Sequence, residues 1–160
     1  MPPSIPIPMT PSGYKKLQDE LKHLKSVERP KNIADIETAR AHGDLSENAE
    51  YEAAKERQAH IARRLGELED QIARAQVIDP AQIRHEKIVF GATIKLVDSD
   101  SGDELFYQIV GACEADVREG KISIDSPIAK SLIGKEENDS VKVTTPRGTR
   151  VFEILEVLYQ

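Results

Sequence analysis

His42-Gly43-Asp44-Leu45-Ser46-Glu47-Asn48-Ala49-Glu50-Tyr51 is a glycine-marked turn that carries acid, set between two long helical patterns. On its N-terminal side, Thr10-Pro11 reads as a helix start, with Thr at the cap and Pro at the first helical position. Tyr14, Leu17, Leu21 and Leu24 follow at alternating steps of three and four, the spacing of a coiled-coil stripe. The stripe weakens at Val27, and Pro30 is expected to kink or break the helix. It resumes through Ile33, Ile36 and Ala39-Arg40 until Gly43 ends it. On the C-terminal side, Tyr51, Ala54, Gln58, Ile61, Leu65, Leu68, Ile72 and Ala75 keep the same alternation, with Gln58 the only polar member. At 1.5 Å per residue, this second arm of about 30 residues is roughly 45 Å long.

The two stripes fit each other when folded back. Pairing Tyr14 with Ala75, Leu17 with Ile72, Leu21 with Leu68 and Leu24 with Leu65 puts the reversal near residue 44 or 45, at the Gly43-Asp44-Leu45 turn. The spacing therefore predicts an antiparallel helical hairpin. The alternative, one continuous helix pairing with another chain, is opposed by Gly43 and Pro30.

Composition agrees. The 160 residues suffice for one ordinary domain or two small ones. At 4% aromatic and without Trp, the chain suits a helix that buries a narrow stripe rather than a thick core. A net charge of −6 disfavours non-specific binding to free DNA, because phosphate affinity needs clustered Lys and Arg. A single cysteine, Cys113, excludes an internal disulfide framework and reads as a small packing residue. No apolar run nears the roughly 20 residues of a membrane span, and the proline-spaced lead-in from Met1 to Met9 lacks a signal-peptide core. The expectation is a soluble, cytoplasmic monomer without a membrane role.

Val77-Ile78-Asp79-Pro80 stops the second arm, and residues 80–87 read as a linker. From Val89 the period changes to two. Strands are expected at 92–97, 105–110 and 121–124, a short helix at 127–133 and a last hairpin from 141–144 and 149–158. The chain is thus predicted to be α+β: a coiled-coil hairpin domain with an acidic tip over residues 1–79, then a small domain with a largely antiparallel sheet over 80–160.

Asp44 and Glu47 are three apart at an expected helix start, a spacing that places two side chains on one helical face, with Glu50 one turn on. Two such carboxylates can share a hard cation such as magnesium. The same pair is also close to a capping box, with Asp44 accepting from first-turn N–H groups and Glu47 reaching back. The readings are compatible, since a capping carboxylate keeps spare lone pairs. Arg40, Lys55 and Arg57 near the tip, and Lys31 farther down, either contact phosphates or form a solvated helix face. His23, His42, His60 and His85 have no metal-ligand spacing, and no phosphate-binding glycine loop, nucleophile elbow or zinc motif is present. This is not the pattern of a self-contained enzyme.

Ala39-Arg40-x-His42-Gly43-Asp44-Leu45-Ser46-Glu47-Asn48-Ala49-Glu50-Tyr51, Pro8-Met9-Thr10 with Leu17-x-x-x-Leu21, Ala75-Gln76-Val77-Ile78, Phe90-Gly91-Ala92, Ser126-Pro127-Ile128-Ala129 and Leu132-Ile133-Gly134-Lys135 together resemble the Gre family of bacterial transcript-cleavage factors, GreA type. The resemblance covers essentially the whole chain. It implies a coiled-coil domain followed by an FKBP-like domain that binds bacterial RNA polymerase, with the hairpin inserted through the secondary channel. Asp44 and Glu47 would be the catalytic carboxylates, helping to hold a magnesium ion shared with the polymerase site; no cofactor would be bound stably. Arg40 and Lys55 match basic positions near the 3′ end of backtracked RNA. Asp125, Ser126 and Pro127 fall in the loop by which the second domain docks on polymerase. Arg and Lys mixed with many Glu along the hairpin favour short cleavage products. The alternatives are a related factor that enters the channel and inhibits, a peptidyl-prolyl isomerase, which the scarcity of aromatics in 80–160 opposes, and a scaffold without chemistry at the tip.

Overall fold

In the computed structural model, which describes residues 5–43, 48–83 and 85–160, the first arm starts where Thr10 caps it: Gly13 N donates to Thr10 Oγ1 at 3.2 Å. Helix α1 spans Pro11–His23, a π-helical turn Leu24–Glu28, and α2 Arg29–Ala41. The π turn is the answer to Pro30. A proline has no N–H to donate, and its ring crowds the carbonyl four residues back. The chain widens before it instead of breaking, with Arg29 N donating to Leu24 O, five residues back. Pro30 then sits at the start of α2, where its missing donor costs least.

The wide turn changes which side chains face the second arm, α3 (Ala49–Ala73). Leu17 and Leu24 are buried, as are Ile36 and Ala39. Val27, where the stripe was expected to weaken, and Ile33, expected within it, are each 48% exposed, and Asn32 is buried at 4%. One extra residue in the turn advances the seam to Glu28, Asn32 and Ile36, in steps of four. A buried amide needs a partner, and Asn32 Nδ2 donates to Ala54 O at 2.9 Å. Along α3, Ala54, Ile61, Leu65 and Leu68 are buried, whereas Gln58 is exposed.

Ionic pairs join the arms. Arg64 grips Glu20 with two bonds, Nε to Oε1 at 2.8 Å and Nη2 to Oε2 at 2.7 Å. Arg57 Nη2 lies 2.8 Å from Glu28 Oε2, and Lys25 Nζ 3.2 Å from Glu69 Oε1. The cross-arm bonds Glu20–Arg64, Glu28–Arg57 and Asn32–Ala54 run in antiparallel order toward the acidic turn. The antiparallel hairpin is therefore the fold.

The described chain forms two compact units, Tyr14–Arg74 and a second made from residues 5–13 with Ala75–Gln160. The expected boundary lay between residues 79 and 80; the segments 5–13 and 75–79 fall instead in the second unit. They are brought together there by a parallel pair of strands, β1 (Ile7–Met9) with β2 (Ala75–Val77). Ala75, expected at the foot of the helical stripe, is thus a strand residue opposite Ile7. The extended lead-in thus contains a strand, and its Met9 is fully buried.

The rest of the second unit is a five-stranded sheet in the order β5-β4-β3-β7-β6: Lys121–Ser123, Glu104–Val110, Thr93–Asp98, Gly148–Leu158 and Ser140–Thr145. All neighbours are antiparallel except β4 with β5. The inward positions Ile94, Leu96, Ile109, Ile122, Val141, Val143, Phe152 and Ile154 form one core with Ala129 and Leu132 of α4 (Pro127–Leu132). The α+β class and strand positions match the change of period from four-three to two.

Leu68→Ala lowers hairpin stability by about 2–4 kcal/mol, whereas Ile33→Ala changes it by less than about 0.5 kcal/mol. Urea unfolding followed by far-UV circular dichroism separates them, and equal costs would contradict the π-shifted seam. The bond from Arg64 holds the Glu20 carboxyl below its usual range. A lowered folded value means the pair stabilises above the unfolded carboxylate range and loses that stability as pH falls through the folded value. Wild type therefore exceeds Glu20→Gln at pH 7 by at most about 1 kcal/mol, the pair being half exposed. The difference starts to shrink as pH falls through the unfolded carboxylate range and vanishes only once the pH is below the lowered folded value.

Candidate functional site

Helix α2 ends at Ala41, and the next backbone donors turn back on it: His42 N to Ala39 O and Gly43 N to Arg40 O, both at 3.2 Å. Gly43 has φ +100°, a conformation strained for any residue with a Cβ, so glycine is required to leave the helix in this direction. The acids Asp44 and Glu47, the expected catalytic and magnesium-binding pair, lie outside the described residues.

The structure does show how the chain enters the second arm beyond them. The N-cap of α3 is Asn48, in extended conformation, whose Oδ1 accepts from Tyr51 N at 3.0 Å. Its Nδ2 donates to Ala39 O at 2.7 Å. One side chain thus satisfies an orphan donor at the start of α3 and a terminal carbonyl of α2, tying the arms together at the neck of the turn. The N-cap of α3 is thus Asn48 and the helix begins at Ala49; the capping and shared-face roles expected of Asp44 and Glu47 lie outside the described residues. Glu50 meets His42, Nδ1 to Oε2 3.2 Å. Asn48 could have been found in the sequence: Asn is a strong cap, and Glu50 and Glu52 supply the acids that favour a first helical turn.

Arg40 is exposed in the last turn of α2. Lys55 is exposed on α3, its Nζ donating to Gln58 Oε1 at 2.9 Å. Arg57 is held by Glu28, which has its carboxyl lowered by Arg57 first and His23 second. The exposed cations near the tip are therefore not equivalent: Arg57 is committed to a cross-arm bond.

In the second unit, Asp125, Ser126 and Pro127 form a hydrogen-bonded corner before α4. Ser126 Oγ donates to Ser123 O at 2.6 Å and accepts from Ala129 N at 3.3 Å, capping the helix. Ser123 Oγ accepts from Asp125 N at 3.1 Å. The corner leaves Asp125 and Pro127 exposed while Ser126 is half-buried. Pro127 continues into a groove of about 500 Å³ lined by Leu105, Tyr107, Ile128 and Phe152, with Arg147 and Arg150 among its lining residues. The scarcity of aromatics did not foretell this groove, because the fold gathers Tyr107 and Phe152 from separate strands.

Among the described residues, no cluster of three or more His, Cys, Asp or Glu could hold a metal ion. Among the same residues, no helix is long and apolar enough to cross a membrane.

Residues 7–77 match the family described as transcription elongation factor, N-terminal, and residues 83–159 that described as transcription elongation factor, GreA/GreB, C-terminal. The chain is 56% identical over 154 residues to the transcription elongation factor GreA of Hyphomonas neptunium, covering 96% of this chain and 98% of that protein. It is 58% identical over 151 residues to the GreA of Rhizobium leguminosarum bv. trifolii, covering 94% and 96%. Among solved structures, GreA factor homolog 1 of Thermus thermophilus is similar at 29% identity, covering 95% of this chain and 98% of that one, with a TM-score of 0.43. With both segments matched and nearly its whole length shared with such relatives, the chain belongs to the GreA/GreB family of transcription elongation factors.

Proposed function

We propose that the chain binds bacterial RNA polymerase, enters its secondary channel with the hairpin and stimulates the polymerase's own cleavage of backtracked RNA. The observation that carries this reading is the neck of the hairpin. Asn48 locks the two arms directly beside the acidic turn, and a turn held by locked arms can be delivered as a unit. The chain itself is then a cofactor protein and not a nuclease.

Asp44 and Glu47 are a donor set of two carboxylates, which suits a hard, oxygen-seeking cation. They would hold a magnesium ion shared with the polymerase site, and that ion would supply electrostatic stabilisation of an in-line displacement. The chain's own contribution is positional. The cross-arm bonds at Glu20–Arg64, Glu28–Arg57, Asn32–Ala54 and Asn48–Ala39 remove freedom that would otherwise be lost on entering the site. Arg40 and Lys55 lie toward the extruded RNA 3′ end, where exposed cations meet phosphates. Asp125 and Pro127, displayed by the Ser126-capped corner, dock on polymerase.

The test is RNA cleavage in a stalled, backtracked bacterial elongation complex, with polymerase binding measured alongside. The Asp44→Asn/Glu47→Gln variant binds as wild type does and cleaves slower by about 100-fold or more, since even outer-shell partners of a metal are worth about 10- to 100-fold. Wild type that binds yet leaves the RNA intact would identify a channel-blocking factor instead. Asn48→Ala, which keeps both acids, costs about 1 kcal/mol of hairpin stability and lowers the cleavage rate with binding retained. An unchanged rate would remove the neck from the mechanism.

A further inference from the structure

A groove of about 210 Å³ lies between the arms on one flank of the hairpin, lined by Arg29 and Ile33 of α2 and by Gln58, Ile61, Ala62 and Leu65 of α3. All six belong to the hairpin unit Tyr14–Arg74. Ile61 and Leu65 are buried, whereas Arg29, Ile33, Gln58 and Ala62 are exposed. The π turn is what leaves Ile33 here: by advancing the seam to Asn32, it puts the neighbouring isoleucine outside the contact between the arms. Two further features of this flank have no use within the described chain. Lys25, Arg57 and Arg64 each meet a carboxylate on the opposite arm, but among the described residues Arg29 meets none. Gly66 stands one helical turn beyond Ala62 on the same face, in the interior of α3, where glycine is the poorest helix former after proline. A Cβ there would meet nothing within 4 Å, so no part of the described chain requires the glycine.

We propose that this flank is a contact surface for the wall of the polymerase channel, with Ile33 and Arg29 as its anchors. This rests on the channel-entry part of the reading above and names where along the hairpin the wall is gripped. Ala41, at the end of α2, lies eight residues on from Ile33, so at 1.5 Å per residue Ile33 stands roughly 12 Å back from the turn. A hairpin whose tip reaches the polymerase site has protein on its flanks at that depth, and the groove is covered on entry. An exposed isoleucine alone is ordinary; beside an unpaired guanidinium and an empty helical face, it specifies the chemistry of what covers it. The wall segment presents an aliphatic side chain to Ile33, Ile61 and Leu65, a carboxylate to Arg29, and backbone close to Gly66. The apolar contact drives desolvation, and the charge pair fixes the register of hairpin on wall. Nucleic acid does not suit the groove, because Ile33, Ile61, Ala62 and Leu65 offer phosphates no donor.

The experiment measures affinity directly, by displacement of labelled wild-type protein from core polymerase, with cleavage in the backtracked complex beside it. The full-length variants are Ile33→Ser, Arg29→Glu and Gly66→Gln. Val27→Ser is the control, because Val27 is also 48% exposed on the first arm but does not line the groove. Ile33→Ser and Arg29→Glu are each expected to weaken binding about tenfold, the loss typical of a truncated interface anchor. Their melting temperatures and their cleavage rates at saturating protein stay at the wild-type values. Gly66→Gln raises the melting temperature, since glutamine is the better helix former, and still weakens binding. Val27→Ser binds as wild type does. Unchanged affinity in Ile33→Ser and Arg29→Glu overturns the proposal, as does an equal loss in Val27→Ser. Weaker binding that appears only together with a lower melting temperature overturns it as well. Sedimentation tests the other occupant: a wild-type dimer that Ile33→Ser dissociates makes the groove an interface between copies instead. Wild type that binds polymerase but releases no RNA fragments ends the cleavage reading and leaves the groove to be judged by affinity; wild type that does not bind ends both.

Discussion

Pro30 cannot donate a backbone hydrogen bond, and the hairpin is built around that constraint. A proline thirty residues into a chain that needs a long straight arm would ordinarily end it. Here the preceding turn widens to the π spacing, Arg29 reaching back to Leu24, and the arm continues. The cost is phase. Every downstream side chain rotates by about one position, so Val27 and Ile33 turn to solvent and Asn32 turns inward. The inward polar group is affordable because Ala54 O is within reach. A buried polar pair of this kind has only one good alignment, which helps to set the register of one arm on the other.

That register decides what happens at the turn. Because α2 and α3 are aligned from Glu28–Arg57 through Asn32–Ala54, Ala39 arrives opposite Asn48. Asn48 can then cap α3 with one end of its amide and hold α2 with the other. The N-cap of α3 is therefore supplied by Asn48.

The second unit follows a similar economy. Ser126 satisfies the start of α4 and the carbonyl of Ser123 together, which leaves Asp125 and Pro127 displayed on a corner with little freedom. Glu114 collects three donors from two separated stretches of chain. In each case a single polar side chain closes a backbone account at an element boundary and, by doing so, holds two stretches together.

Much of this was legible in one dimension. The alternation of Leu17, Leu24, Leu65 and Leu68 shows an antiparallel hairpin because burial against a partner helix imposes a period near 3.5, and the shift to a period of two after Val89 shows a sheet because strand side chains alternate faces. Local signals also sufficed for the Thr10 cap and the turn at Gly43. The groove beside Pro127, the pairing of Ile7 with Ala75 and the bonds of Glu114 were not legible, because their partners are far apart in the chain and no local pattern names them. The inward turn of Asn32 escaped as well, since a helix that widens before proline looks in sequence like one that breaks. The amino-acid sequence by itself determined the main helices and strands, their order and the family; tertiary structure alone decided the β1–β2 pair, the phase of the seam and the identity of the clamps, because these depend on which donor finds which acceptor once the chain has folded.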